Sequence, residues 1–275
     1  HERVETRVFA PEGPEHASDM LSIEEPLEIR LVYWVRGERI EQSVSVTMRT
    51  PGDDVELAVG FLAGEGIVDD AGDIVEVAHA AAPVPDSGIG NIVRVELAEH
   101  VDVDAGGLLR NFYTASSCGV CGKASLEAIH MQITPREQQP FSISSDLLRG
   151  LPQALSAVQS EFALTGGLHA AAAFDERGAI ARVREDVGRH NALDKLTGSY
   201  FAQGGMQGLC VLLSGRTSFE LLQKAAMAGI PLIAAIGPPS SLALELAREY
   251  DITLIGFLKA DRFNVYCGSS RIANS

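Results

Sequence analysis

The first third of the chain carries the alternation of apolar and polar residues that is typical of half-buried β-strands. Apolar residues occupy alternate positions in two runs, 27–35 and 40–48, and the turn residues between them predict a hairpin. A helix is predicted to begin near Asp54, because acidic residues that suit the positive end of a helix precede an apolar stripe. Two further strands are predicted at residues 73–78 and 91–97. This region is therefore expected to be α+β, with mostly antiparallel strand neighbours.

The second half of the chain alternates short apolar runs with amphipathic segments. A helix capped near Ser144 precedes two predicted strands, 170–174 and 179–183, and residues 184–196 are interpreted as a further helix. Three strands then alternate with two helices, and these elements are predicted at residues 209–213, 217–228, 230–236, 240–250 and 252–258. This β-α-β-α-β order predicts a parallel sheet with right-handed crossovers.

These patterns divide the chain into three parts. Residues 1–22 contain Pro and Gly interruptions among frequent charges and are predicted to be a flexible N-terminal arm. Residues 23–140 are predicted to form the smaller α+β region, and residues 141–275 an α/β domain that binds a cofactor. The predicted fold class is therefore mixed α/β, a sheet flanked by helices with a smaller α+β region before it.

Composition narrows the classes of function. The net charge is −15 and the pI is about 4.8, which argues against broad, non-specific binding of nucleic acid. No apolar run is long enough to span a membrane, and the first residues lack the apolar core of a signal peptide. Four cysteines in 275 residues do not make a disulfide scaffold, so a reducing cytoplasm is the expected compartment. A homodimer is the expected oligomer, since it is the commonest one.

The candidate nucleophiles are Cys118 and Cys121, which stand three residues apart in a turn of small residues. Residues 124–131 predict a helix, so the pair would lie where unpaired N–H groups and the helix dipole favour an anion. That position would lower the pKa of a cysteine thiol, and Lys123 would help. Such a pair suits a redox dithiol, half of a zinc site or a sulfur-handling nucleophile. The other two cysteines stand alone and are predicted to be strand residues, Cys210 and Cys267.

Polar segments follow each of the three predicted parallel strands. Ligands bind at the carboxyl ends of strands in such sheets. Ser214, Gly215 and Arg216 form a small-residue turn that opens a helix and suits a phosphate. Residues 237–241 follow the second strand and residues 259–262 the third, and neither a Walker loop nor a dinucleotide fingerprint is present. Three such segments at adjacent strand ends predict a ligand that carries phosphate.

A second polar group lies in the helix interpreted at residues 184–196. Arg189 and His190 stand beside a glycine at the predicted helix start, and the polar residues Asn191, Asp194 and Lys195 follow them. A solvated charged face is one interpretation of this pattern. The close spacing of Arg, His and Asn at a helix start favours the other interpretation, a binding site.

The motifs together resemble those of one known family. The cysteine turn at residues 116–122, the run from Asp186 to Lys195 and the turn at residues 213–216 are similar to the formate dehydrogenase accessory sulfurtransferase family, FdhD. Residues 56–62 and 261–266 resemble the same family. The similarities occur in one order along most of the chain, and the set is specific although no single motif is.

The resemblance implies an activity, a site and a fold. Proteins of this family take sulfane sulfur from a cysteine desulfurase, hold it as a cysteine persulfide and pass it to formate dehydrogenase. The acceptor there is a molybdenum or tungsten bis-molybdopterin guanine dinucleotide cofactor. The persulfide cysteine falls on Cys118, with Cys121 as its neighbour, and the family fold resembles that of cytidine deaminases. The cofactor-binding segment falls on Phe257, Leu258, Lys259, Ala260, Asp261 and Arg262.

The expected protein is thus a sulfurtransferase of the persulfide-carrier type, with no tightly held catalytic metal. Its expected partners are a cysteine desulfurase, formate dehydrogenase and a guanine-nucleotide-type ligand. The side chains expected to hold phosphates and guanine are Arg216, Arg189, His190, Lys259 and Arg262. The family often has an arginine and a glycine where this chain has Lys259 and Ala260.

Two other classes of function stay open. A non-catalytic chaperone that cradles the cofactor or the apo-enzyme would need the arginines but not Cys118. A zinc deaminase relative would need an H-x-E motif ahead of a P-C-x-x-C motif. This chain has no H-x-E before Cys118, and His169 comes after the cysteine pair with no glutamate two residues on.

Overall fold

The computed structural model describes residues 1–80, 90–103 and 135–273. Cys118 and Cys121 lie outside these ranges, as does the helix predicted after them. Within the described ranges, no helix is long and apolar enough to cross a membrane.

The N-terminal part is built on a four-stranded sheet. Its strands are β3 (Glu25–Val35), β4 (Glu38–Arg49), β5 (Ile74–His79) and β6 (Ile92–Leu97), in the spatial order β4-β3-β6-β5. β3 and β6 are parallel and the other neighbours are antiparallel. The helix α1 (Asp54–Gly64) packs on this sheet through Leu57, Ala58 and Leu62, so the predicted α+β region is confirmed.

The first residues differ from the irregular arm that was predicted. They form an antiparallel hairpin, β1 (Glu2–Ala10) and β2 (Gly13–Leu21), paired without a register shift. The β-branched residues Val4, Thr6 and Val8 favour a strand. Pro11 and Glu12 form its two-residue turn, and Gly13, with φ of 123°, begins β2 directly after that turn.

The C-terminal part is built on a six-stranded mixed sheet in the order β13-β12-β11-β10-β8-β9. The elements of this part are β7 (Ile143–Ser144), α2 (Ser145–Val158), α3 (Ser160–Thr165), β8 (His169–Phe174), β9 (Ile180–Asp186), α4 (Arg189–Phe201), β10 (Cys210–Leu213), α5 (Phe219–Met227), β11 (Leu232–Ala235), α6 (Ser241–Glu249), β12 (Thr253–Gly256), β13 (Asn264–Cys267) and β14 (Ile272–Ala273). β10, β11 and β12 are parallel, as their order along the chain predicted.

Helices cover both faces of the six-stranded sheet. Alternate strand residues, such as Val211 and Leu213, join one buried cluster with α4, α5 and α6. The residues between them, such as Leu212, join a second cluster with α2. This arrangement confirms a mixed α/β fold with helices on both faces of its sheet. The boundary predicted near residue 140 stays a prediction.

Two local predictions are wrong. The segment interpreted as a helix at residues 184–196 first completes β9, and α4 begins at Arg189 after the N-cap Gly188. β12 ends at Gly256, so Phe257 and Leu258 are not strand residues. Phe257 adopts a positive φ of 52° and forms a bend at the strand end.

Candidate functional site

The three predicted strand-end segments lie side by side. The amide of Gly237 donates to the carbonyl of Gly215 at 3.1 Å, and the amide of Phe257 donates to the carbonyl of Gly237 at 3.2 Å. Thr217 also donates its amide to Pro238, at 3.2 Å. The backbone therefore joins the ends of β10, β11 and β12 into one continuous edge.

Two glycines make this close approach feasible. A Cβ on Gly237 would lie 2.8 Å from the carbonyl oxygen of Gly215. A Cβ on Gly256 would lie 2.8 Å from Cδ of Pro239. Any side chain at either position would force the neighbouring segment away, so these glycines set the spacing of the edge.

Cations gather at this edge. Arg189 and His190 open α4, and Arg216 is exposed in the turn after β10. Within the described residues, the buried Nε of Arg189 and the buried hydroxyl of Thr217 have no hydrogen-bond partner. Buried polar atoms are ordinarily paired, so these orphaned atoms indicate that the site accommodates a polar ligand. Their chemistry fits an anion with phosphate groups.

His190 is already engaged by the next helix. Its Nε2 lies 2.8 Å from Oε2 of Glu220 and 3.2 Å from Oγ of Ser218. The hydrogen bond from His190 lowers the pKa of Glu220, against the opposing effect of burial. These two contacts hold the half-buried imidazole of His190 between the start of α4 and the start of α5.

The third strand-end segment forms a tight turn. The amide of Lys259 donates to the carbonyl of Arg262 at 2.9 Å, and the side chains of Lys259, Asp261 and Arg262 are exposed. The side chain of Phe257 is also exposed, whereas Leu258 is buried in the core under the sheet. A ligand at this turn would therefore meet the backbone of Leu258 and not its side chain.

A buried network holds the start of α4 in place. The carboxylate of Asp186 pairs with Nζ of Lys195 at 2.8 Å and accepts hydrogen bonds from the amides of Thr50 and Gly188. It also accepts from Nδ2 of Asn191 at 3.1 Å. Both charges are almost fully buried, so removing one of them would leave the other without compensation.

A second buried pair joins α4 to α5 and α1. Nζ of Lys224 lies 2.9 Å from Oδ1 of Asp194 and 3.5 Å from Oε1 of Glu65, the C-cap residue of α1. Asn191, Asp194 and Lys195, which sequence reasoning placed in a polar face or binding site, are thus structural. Of that polar group, only Arg189 and His190 lie at the strand-end edge.

Sequence reasoning missed His169 as a residue of this edge. His169 begins β8, which runs antiparallel to β10, so its first residue lies beside the last residues of β10. His169 could have been found by predicting that β8 pairs antiparallel with β10, because that pairing brings the start of β8 to the end of β10.

The cysteine pair stays a prediction, because it lies outside the described residues. Among the described residues, no cluster of three or more His, Cys, Asp or Glu side chains is placed to bind a metal ion.

Comparison with known proteins gives a consistent result. The family model described as the FdhD/NarQ family matches residues 23–273. The chain is 48% identical over 260 residues to a protein of Streptomyces avermitilis named sulfur carrier protein FdhD, covering 93% of this chain and 89% of that protein. A protein of the same name from Mycobacterium tuberculosis is also 48% identical, covering 92% of each chain.

The fold comparison agrees. A crystal structure described as a formate dehydrogenase accessory protein from Desulfotalea psychrophila has a TM-score of 0.74 to this chain, covers 99% of both chains and is 23% identical. Because the two sequences are only 23% identical, this comparison supports a shared fold and not a shared function. The family match spans nearly the whole described chain and agrees with the relatives, and the chain belongs to the FdhD/NarQ family.

Proposed function

We propose that this protein is a sulfur carrier needed for formate dehydrogenase activity. It accepts sulfane sulfur from a cysteine desulfurase as a persulfide on Cys118. It transfers that sulfur to the bis-molybdopterin guanine dinucleotide cofactor, of molybdenum or tungsten, which is its acceptor substrate. The observation that carries the proposal is the 48% identity, over 93% of the chain, to a protein named sulfur carrier protein FdhD.

The strand-end edge supports the binding half of the proposal. Arg189 and Arg216 supply positive charge there, and neither forms a salt bridge among the residues that the structure describes, although the charge of Arg189 acts on nearby Glu220. Guanidinium groups bind phosphate in a fork of paired hydrogen bonds. Lys259 and Arg262 add exposed charge on the neighbouring turn. We assign these four side chains to the diphosphates of the acceptor, with His190 beside them.

The sulfur chemistry follows from the thiol. The Cys118 thiolate attacks the outer sulfur of the donor persulfide, the sulfur–sulfur bond of the donor breaks, and the donor cysteine leaves as a thiolate. The product is a Cys118 persulfide that keeps the proton of the outer sulfur. Cys121 assists this carrier. It can also release the outer sulfur as hydrosulfide, by attacking the inner sulfur and forming a disulfide with Cys118.

The test is the intact mass of the protein after incubation with a cysteine desulfurase and cysteine, with and without reductant. A gain of one sulfur atom that reductant reverses is expected in the wild type and absent in Cys118→Ser. Cys210→Ser is the matched control, because burial raises the pKa of that thiol and leaves it fully covered by the core. Equal loading of Cys118→Ser would refute the assignment of the nucleophile.

One observation favours a second role, that of a chaperone for the cofactor. The strand-end edge is built from arginine, histidine and lysine side chains and needs no cysteine for binding. If Cys118→Ser still restores formate dehydrogenase activity in cells that lack the protein, while Arg216→Ala does not, the chaperone role is the correct one. We further propose that the protein acts in the cytoplasm and that it is a homodimer. Light scattering on the purified protein measures its molar mass and so tests the homodimer.

A further inference from the structure

His169 lies at the strand-end edge through the register of β8. It pairs with Asp186 of β9, and the next residue, Ala170, exchanges two hydrogen bonds with Ser214 at the end of β10. These are Ala170 N–H to Ser214 Oγ at 2.8 Å and Ser214 N–H to Ala170 carbonyl at 3.0 Å. The position of His169 is therefore fixed by the sheet and not by a loop.

The imidazole of His169 packs directly against Gly215. A Cβ at that glycine would lie 3.2 Å from Nδ1 and 3.3 Å from Cε1 of the ring, which is closer than ordinary packing. The ring is half-buried, and neither of its nitrogens makes a hydrogen bond to another of the described residues. A fixed, half-buried imidazole with two unused nitrogens is suited to contact a ligand in the turn that Gly215 forms.

The titratable groups that face the ring are mostly basic. They are Arg189 and His190 from α4 and Arg216 from the turn after β10, and Asp186 of β9 is the opposing acid. Burial, followed by the effects of these three basic side chains, lowers the pKa of His169 below its usual value, and Asp186 offsets part of this. The imidazole is consequently neutral at neutral pH while the site holds no anion.

We propose that His169 is a further ligand-binding residue of this edge, which contacts the phosphates of a guanine nucleotide and takes up one proton when they bind. The proposal rests on the proposed function, because it takes the guanine nucleotide as the ligand. The phosphates offset the positive charges around the ring, and a phosphate oxygen beside the ring favours its charged form against the effect of burial. A proton from solvent then binds the ring nitrogen, and the imidazolium donates a charge-assisted hydrogen bond to a phosphate oxygen.

The direction of the pH dependence follows from linkage. The complex binds more protons than the free protein, so affinity rises as the pH falls. Between the pKa of His169 in the free protein and its higher pKa in the complex, the logarithm of Kd is expected to rise with pH by up to about one per pH unit. The hydrogen bond from the charged imidazole to the phosphate is expected to make Kd roughly tenfold to hundredfold tighter at the lowest pH of the series than at the highest.

Titration calorimetry with guanosine diphosphate, and separately with inorganic pyrophosphate, tests this. Each titration is done in two buffers of different ionisation enthalpy, which counts the protons taken up. The variants are His169→Asn and His16→Asn, the second a matched control on the exposed face of β2. The terminal phosphate of the ligand also titrates near pH 6, so the protons taken up are compared between variants at a pH well above that value.

Proton uptake in the wild type and His16→Asn that is lost in His169→Asn, with either ligand, is the expected result. Equal uptake in His169→Asn and the wild type would overturn the proposal. Uptake with guanosine diphosphate alone would also overturn it, because the contact would then be to the base. If neither ligand binds the wild type, the nucleotide site of the proposed function fails and this proposal fails with it. Urea unfolding of His169→Asn establishes that the variant is folded.

Discussion

The crossing of α1 and α4 is closer than any side chain would allow. A Cβ on Gly198 would lie 1.9 Å from the carbonyl oxygen of Glu56, and a Cβ on Gly60 would lie 1.8 Å from the carbonyl oxygen of Asp194. Each glycine thus faces the backbone of the opposite helix. We expect Gly198→Ala to separate the two helices, and with them the two sheets that they join.

The size of the effect follows from these distances. Ordinary contact of a Cβ begins near 3.4 Å, so the helices would have to move apart by about 1.5 Å. The carbonyl oxygens of Glu56 and Asp194 belong to helix backbone and cannot rotate away from the new Cβ as a side chain would. Overpacking costs about 1–3 kcal/mol and occasionally more, and the better helix propensity of alanine recovers up to about 1 kcal/mol. We expect Gly198→Ala to lower the free energy of unfolding by about 2 kcal/mol or more.

Gly150→Ala is the matched control for this substitution. Gly150 lies inside α2, and a Cβ there would have no heavy atom within 4 Å. The same change should therefore raise the free energy of unfolding by about 0.5–1 kcal/mol. Urea unfolding followed by far-ultraviolet circular dichroism and by the fluorescence of Trp34, the single tryptophan, measures both variants.

The two variants should also differ in function. α4 carries Arg189 and His190 at its start, so moving the helix shifts both side chains relative to Arg216. Binding of guanosine diphosphate should weaken in Gly198→Ala and stay unchanged in Gly150→Ala. If Gly198→Ala is as stable as the wild type, or gains stability as Gly150→Ala does, the close helix crossing is wrong and the reasoning built on it fails.

Two further substitutions test the buried polar groups. Lys195→Met should lower the free energy of unfolding by about 3–5 kcal/mol, because it leaves the carboxylate of Asp186 buried and unpaired. Adding Asp186→Asn should recover part of that loss, and a cost below about 1 kcal/mol in the single variant would contradict a strong buried pair. Thr217→Val should leave stability unchanged or raise it by up to about 1 kcal/mol, since the buried hydroxyl has no partner among the described residues. It should also weaken binding of guanosine diphosphate in calorimetry, and unchanged binding would show that this hydroxyl does not face the ligand.

The regular elements were predictable because their signals are local. Alternation of apolar residues placed β3 and β4, and the order of short strands and helices predicted the parallel neighbours β10, β11 and β12. The hairpin of β1 and β2 was missed for a local reason as well. Pro11 and Gly13 were interpreted as breaks in an arm, although Pro11 forms the two-residue turn with Glu12 and Gly13 pairs with Ala10 beside that turn.

The buried charges were not predictable from local patterns. Lys195 and Asn191 look like solvent-facing residues of a helix, and polar residue types are mostly exposed. Their partners are Asp186 and the backbone of Thr50 and Met48, and two of these lie more than a hundred residues away in sequence. Only the packing of α4 against the N-terminal sheet brings them together, so no window along the chain carries the signal.

These buried pairs also explain how an acidic chain can hold a cationic site. The net charge of −15 describes the whole surface, whereas a ligand responds to the charges within about 10 Å that salt does not screen. On α4 and α5, lysines neutralise the buried carboxylates of Asp186 and Asp194. The nearby arginines, Arg189 and Arg216, form no salt bridge among the described residues. Had either arginine been used to neutralise a buried acid, the strand-end edge would have lost the charge that phosphate recognition requires.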